Sequence, residues 1–303
     1  MGIGPAGMRL IEKGVRISDS KMFEEDKIWA KYSKDKVDSG EKLAAVIRAL
    51  CKEFPPDKPL TALSVGSSNE PQFRILEAVF RGGLYLLDIE KKSLGLVDER
   101  IKRQSLDHVK TIVGDYNRIF SGPGGAGRFL NGRLGGRRMD LIMLHHSLYY
   151  CQEPGWDRLF DNLYRGILAP RGAIHAIMMA SKSGGESTTS WLYGHFAGKF
   201  FGCHNDQDLR HFRRELDKDP VFRKAKVLMK RSRVNFFVDD FGEFMAVIWM
   251  IMLYPNVHNY SVAQREEITE FVYRKFWLPK KPLIQLQDHL VLFRGIKILP
   301  KTL

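Results

Sequence analysis

Two aspartates and two histidines each close a short apolar run of this chain, and that placement gives them chemistry. Asp88 ends GGLYLLD, Asp115 ends KTIVGD, and His145 and His146 end MDLIMLHH. An aliphatic run bounded by polar or small residues reads as a buried strand, so these side chains are expected at strand ends. A carboxylate such as Asp88 there can accept two hydroxyl hydrogen bonds, and charge-assisted bonds exceed neutral ones in strength. That suits a ribose diol. Imidazole titrates near neutrality, which makes His145 and His146 candidate general bases; otherwise they hydrogen-bond loop backbone or pack on a bound ligand. Tyr149 and Tyr150, just beyond, read as walls of a site or of the core.

These groups need a scaffold. A first strand is expected over Leu60–Val65, followed by a turn at Gly66, Ser67 and Ser68, a helix from Glu70 to Phe80 and a strand over Leu84–Leu87. A strand, a glycine-containing turn, a helix and a second strand closed by an acid about 20 residues on is the layout of a nucleotide-type cofactor site. Further strands are expected at Lys110–Val113, Asp140–Leu144, Ala173–Met179, Ala225–Val238 and Asp288–Phe293. Asp38 or Ser39 can cap a helix that runs through Cys51 and stops before Pro55 and Pro56. Helices also fit Lys91–Gln104, Trp156–Leu168, Thr188–Phe200, Asp206–Leu216, Phe241–Leu253 and Ser261–Phe276, with a turn at Ala169-Pro170-Arg171-Gly172. Ahead of them, Met22, Phe23, Ile28, Trp29 and Tyr32 recur at helical spacing. The glycine-dense stretch Ser121–Met139 reads as a flexible surface insertion, because no strand-to-helix junction surrounds its glycines as a phosphate cradle requires.

The four runs from Leu60 to Gly172, with the last strand near Asp288 to Arg294, resemble class I S-adenosylmethionine-dependent methyltransferases. The resemblance implies an α/β fold: a Rossmann-like, mainly parallel seven-stranded sheet with helices on both faces and an added helical cap. It implies S-adenosylmethionine as cofactor and S-adenosylhomocysteine as product. Residues carried over to the cofactor are Gly66, Ser67 and Ser68 in the first loop, Asp88 and Ile89 at the ribose, Asp115 and Tyr116 near the adenine, and His145 facing the methyl. The first loop departs from the family. Ser64 stands where an acid is usual, and Ser68 and Asn69 replace glycines, which removes residues that adopt positive φ freely. A nicotinamide cofactor is the rival, since the same acid serves its ribose; against it, the G-x-G-x-x-G spacing is missing, and Glu70 is expected to face a phosphate and repel it. LSVG, MLHHSLYY and WLYGHFAGKF are also similar to histamine N-methyltransferase and other small-molecule methyltransferases. Residues 1–38 then form an amino-terminal helical segment, and 39–303 the methyltransferase domain, with helical insertions at about 187–218 and 239–277. Trp29, Tyr32, Tyr149 and Trp191 are candidate substrate contacts through their aromatic surfaces, with ordinary core packing as the alternative.

Composition bounds the partners. The chain has 303 residues, 44% of them hydrophobic, enough for a large core. Three dispersed cysteines argue against a disulfide framework and for a reducing, cytoplasmic compartment. No signal-peptide core opens the chain, and the longest apolar stretch, Met245–Leu253, is too short to span a bilayer. Cys203, His204, His195 and His211 lack zinc spacing, so no metal is expected. The net charge of +13, concentrated at Arg128–Arg138, Arg210–Arg214 and Phe222–Arg233, is either a solvated basic surface or an electrostatic footprint for nucleic acid. The leading expectation is methylation of a small molecule. The alternatives are methylation of RNA or protein, and a cofactor-binding regulatory protein without catalysis. No residue pattern specifies an oligomeric state.

Overall fold

The apolar runs are strands in the computed structural model, which describes residues 3–19, 22–68, 70–151, 155–182, 184–205, 207–252, 257–301 and 303. Asn69, Leu253 and the side chains of Met22 and Phe23 lie outside the described residues. Helices α1 (Pro5–Ile17), α2 (Met22–Tyr32) and α3 (Asp35–Glu53) come first. The alternating part follows as β1 (Thr61–Val65), α4 (Phe73–Val79), β2 (Gly83–Asp88), α5 (Lys91–Gln104), β3 (Val109–Val113), α6 (Tyr116–Ser121), α7 (Gly125–Arg133), β4 (Met139–His145), α8 (Trp156–Asn162) and β5 (Leu168–Met179). After it come α9 (Thr189–Phe201), α10 (Leu209–Lys218), β6 (Ala225–Phe236), α11 (Phe241–Ile251), α12 (Val262–Val272) and β7 (Leu283–Arg294).

The seven strands form one sheet of order β3-β2-β1-β4-β5-β7-β6. β1 pairs with β2 and β4, β2 with β3, and β4 with β5, all parallel. Parallel neighbours need long crossovers, which is why helices separate these strands in the chain. Both faces are covered. Leu63, Val65, Leu87, Ile142, Leu144 and Ile174 belong to one apolar cluster, and the alternating Ala62, Leu86, Leu141, Met143 and Ala173 to another. A period of two serving two cores is what a doubly covered sheet demands.

Four local expectations change. The glycine-dense stretch is packed: it contains α7, whose Gly125, Ala126 and Phe129 are buried, and a Cβ on Gly166 would sit 2.5 Å from that of Ala126. Burial of Ala126 and Phe129 on one face anchors what composition alone paints as flexible. The Ala169–Gly172 turn lies inside β5 as a bulge, since Met139 pairs with Leu168 and the next partners are Leu141 and Ala173. Helix α3 starts at Asp35, ahead of the expected cap. The helix expected from Glu70 begins at Phe73, because Glu70 is held at positive φ.

The chain divides into two compact units. One comprises Ser39–Met178, Gln207–Arg231 and Asp288–Leu303 and holds β1 to β4 and β5 as far as Met178; the other comprises Met1–Asp38, Met179–Asp206 and Ser232–Gln287. The latter has its own aromatic core, with Trp29 against Phe236 and Phe236 against Phe244. There the Trp249 indole N–H donates to the Gly14 carbonyl at 2.8 Å. No helix among the described residues is long and apolar enough to cross a membrane.

Candidate active site

In an open α/β sheet, ligands bind beyond the carboxyl ends of the strands where the strand order reverses. Here that point lies between β1 and β4, and the loops leaving these two strands meet there. Gly66 has φ +68°, and a Cβ on it would fall 2.4 Å from the Ser147 Cβ. Only glycine fits. The Gly66 and Ser67 N–H groups both donate to the Leu87 carbonyl, at 2.8 and 3.2 Å, tying the loop to β2.

The loop takes up positive φ without further glycines at the described positions beyond Gly66. Ser68 (φ +47°) and Glu70 (φ +46°) adopt the left-handed conformation themselves, at roughly 1–2 kcal/mol each. Such strain persists where the surroundings over-determine it, typically at functional sites. The Ser68 N–H donates to Asp88 Oδ2 and the Glu90 N–H to Asp88 Oδ1, both at 2.7 Å. Asp88 is therefore fixed in direction before any ligand arrives. Glu70, expected to face any bound phosphate, is 4% exposed and turns in toward Ser64. It accepts from Ser64 Oγ at 2.5 Å and from the Gln72 N–H at 3.1 Å. A carboxylate thus stands beside Ser64, the position where the sequence lacks its acid.

At the end of β3, Asp115 caps α6 by accepting from the Asn117 N–H at 2.9 Å and lies 3.4 Å from Arg118 Nε. Tyr116 is buried and donates its hydroxyl to the Ser147 carbonyl at 2.6 Å. Burial, reinforced by Cys151 and Tyr150, pushes its phenol well above the usual range. Tyr116 therefore fixes the loop after β4. Ile89 is two-thirds exposed next to Asp88.

His145 ends β4 and His146 follows at φ +55°. The His146 N–H donates to the Ile177 carbonyl at 2.9 Å, and its Nδ1 lies 3.3 Å from Tyr149 Oη. His145 turns to β5, where its Nε2 is 3.1 Å from His175 Nδ1. His175 is fully buried and stacks on His289 of β7, ring centroids 5.8 Å apart. Burial, then the neighbouring His145 and His289, hold the His175 pKa well below its ordinary value. His175 and His289 were not read as functional, although an imidazole inside AIHAIMM or DHLVLF is a polar residue in a buried strand and so a signal. Ser147 and Ser67 carry buried hydroxyls with no hydrogen-bond partner among the described residues; nothing in the sequence marks Ser147.

The other aromatic candidates lie in the second unit. Trp29 is core rather than surface: 4% exposed, its indole N–H donates to Asp35 Oδ2 at 3.1 Å. Tyr32 and Trp191 are partly buried against the same cluster, and Trp191 stacks on His195 at 4.5 Å and on Phe271 at 5.7 Å. Among the described residues no group of three or more His, Cys, Asp or Glu side chains could hold a metal ion.

No protein-family model matches the chain, and no curated protein matches it. Solved structures do. The YcgJ protein of Bacillus subtilis is similar over 84% of this chain and 99% of its own, with a TM-score of 0.51 at 8% identity. An inferred methyltransferase of Bacillus halodurans C-125 is similar over 82% of this chain and 97% of its own, with a TM-score of 0.50 at 10% identity. With the strand order, this likeness defines the fold as the class I methyltransferase type, a Rossmann-like α/β fold with a seven-stranded, mainly parallel sheet.

Proposed function

We propose that the protein is an enzyme that transfers a methyl group from S-adenosylmethionine to a small-molecule acceptor. The observation that carries the cofactor assignment is Asp88, held by two backbone N–H groups at the carboxyl end of β2. An ionised carboxylate offers about four lone-pair sites, so capacity remains for two ribose hydroxyls. The residues fit the rest of the cofactor as well. Gly66 keeps the first loop free of a side chain, and the orphaned Ser67 and Ser147 hydroxyls supply buried polar atoms that want a partner. A pyrophosphate fits less well. Glu70 takes the Gln72 N–H just before α4, a donor that a phosphate would otherwise meet at the helix start, and its charge disfavours an anion there.

When bound, the cofactor supplies a methyl group already activated on positive sulfur. The chain's work is then to align the acceptor, exclude water and handle a proton. Asp88 and Asp115 hold the loops that border the site. His145 or His146 takes a proton from an acceptor that must lose one, a role suited to imidazole near neutral pH.

The basic clusters support a small molecule over nucleic acid, because many of their arginines serve internal acceptors. Arg210 and Arg231 both bind Asp288, and Arg213 binds Asp217. Arg128, Arg137 and Arg138 donate to backbone carbonyls. The reading is tested by incubating the protein with methyl-labelled cofactor and a cell extract separated into small-molecule, RNA and protein fractions. Label in the small-molecule fraction is expected. Label in RNA, with binding that falls steeply as salt rises, would replace the reading, and cofactor binding without label in any fraction would favour a regulatory protein.

A further inference from the structure

Three imidazoles line up on one face of the sheet. His175 pairs across β4 with Met143, two residues before His145, and side chains two apart share a face. His145 Nε2 is 3.1 Å from His175 Nδ1 with the rings at 80°, and His175 lies nearly parallel to His289 at 26°. The stack fixes the plane of the middle ring, and the hydrogen bond fixes the direction of the first.

A neutral imidazole has one N–H and one lone pair, whereas an imidazolium has N–H at both nitrogens. If His175 donated through Nδ1–H, His145 could not take up a proton at Nε2 without breaking that bond. If His175 accepts, His145 can change charge with the bond intact. Proton uptake even strengthens the bond, since its donor becomes charged. His175 Nε2 has no partner among the described residues, and it would lack one in either tautomer, so it does not decide the choice.

We propose that His175 is a positioning residue that accepts a hydrogen bond from Nε2–H of His145 and so fixes His145 in the tautomer whose basic nitrogen is Nδ1. The arrangement follows the logic of a base oriented by a third group, with a buried neutral imidazole where a carboxylate is more usual. In the reaction, the acceptor's proton passes to His145 Nδ1 while the acceptor's electron pair forms the bond to methyl. The pair of the broken sulfur–carbon bond stays on sulfur. The proposal rests on the methyl-transfer reading, through the proton that His145 must take up, but the tautomer can be measured without any turnover.

The test is long-range proton–nitrogen correlation NMR on histidine-labelled protein, at a pH where His145 is neutral. The wild type is expected to show His145 as the Nε2–H tautomer. His175→Asn, which places an acceptor oxygen where Nδ1 stands, should keep it; His175→Leu should give a tautomer mixture. His145 as the Nδ1–H tautomer in the wild type would overturn the proposal, and so would an unchanged tautomer in His175→Leu. Given a methyl acceptor, kcat should fall about tenfold or more in His175→Leu and recover in His175→Asn, with S-adenosylhomocysteine affinity constant in all three. An unchanged kcat in His175→Leu would remove the catalytic role. If no methyl transfer is found with any acceptor, the function falls and the NMR result still decides the tautomer.

Discussion

Replacing Gly66 by alanine should damage the site in two separable ways. A residue with a Cβ pays roughly 1–2 kcal/mol for the left-handed conformation that Gly66 holds at φ +68°. The new Cβ also falls 2.4 Å from the Ser147 Cβ, an atom fixed to the backbone that no rotamer change can move. Forcing that overlap apart costs about 1–3 kcal/mol by analogy with overpacked cores. The expected loss is therefore about 2–5 kcal/mol, read as a shift in the urea midpoint with the slope preserved. Ser147→Gly removes the struck atom but leaves the strained φ. In that background Gly66→Ala should cost only about 1–2 kcal/mol, and the double-mutant cycle reports the difference as coupling. A Gly66→Ala loss under about 0.5 kcal/mol, or the same loss in both backgrounds, would refute the claim that the two loops meet at this glycine.

Acidification should expose the buried imidazole. The His175 pKa lies below its ordinary 6.5, with burial the leading cause, so the unfolded chain binds the proton first. Its neutral burial contributes fully above pH 6.5, and stability then falls with pH until the folded pKa is passed, at up to about 1.4 kcal/mol per pH unit. Urea midpoints measured from pH 7 to 5 should show this slope, and His175→Asn should flatten it; equal slopes in both proteins would contradict the burial argument. Trp29→Phe keeps a ring on Phe236 but removes the hydrogen bond to Asp35, which should cost about 1–3 kcal/mol and leave KM unchanged. A raised KM at full stability would return Trp29 to the substrate.

The sheet was legible because buried parallel strands are near-continuous apolar runs, and those ending at Asp88 and His145 stand out against their polar loops. Asp88 was legible for the same reason. Packing that depends on distant residues was not. The glycines at 121–138 read as flexible because their composition hides that Ala126 and Phe129 share a buried helical face. Ala169–Gly172 carries turn residues, yet the chain resumes pairing with β4 beyond them in a shifted register. Glu70 reads as an acid facing a bound phosphate, and its six-residue reach back to Ser64 is not visible in any local pattern. His175 and His289 meet only through the β4-β5-β7 order, which no local pattern reveals.

The central claim is that Asp88 grips the ribose of an S-adenosyl cofactor. Isothermal titration of S-adenosylhomocysteine into the wild type and Asp88→Ala tests it most directly, with nicotinamide adenine dinucleotide as the competing ligand. Removing a charged acceptor for two hydroxyls should weaken binding by on the order of 2 kcal/mol, about thirtyfold, or more, while the nicotinamide cofactor binds neither protein. Equal affinity in the two proteins, or a wild type that prefers the nicotinamide cofactor, would contradict the account.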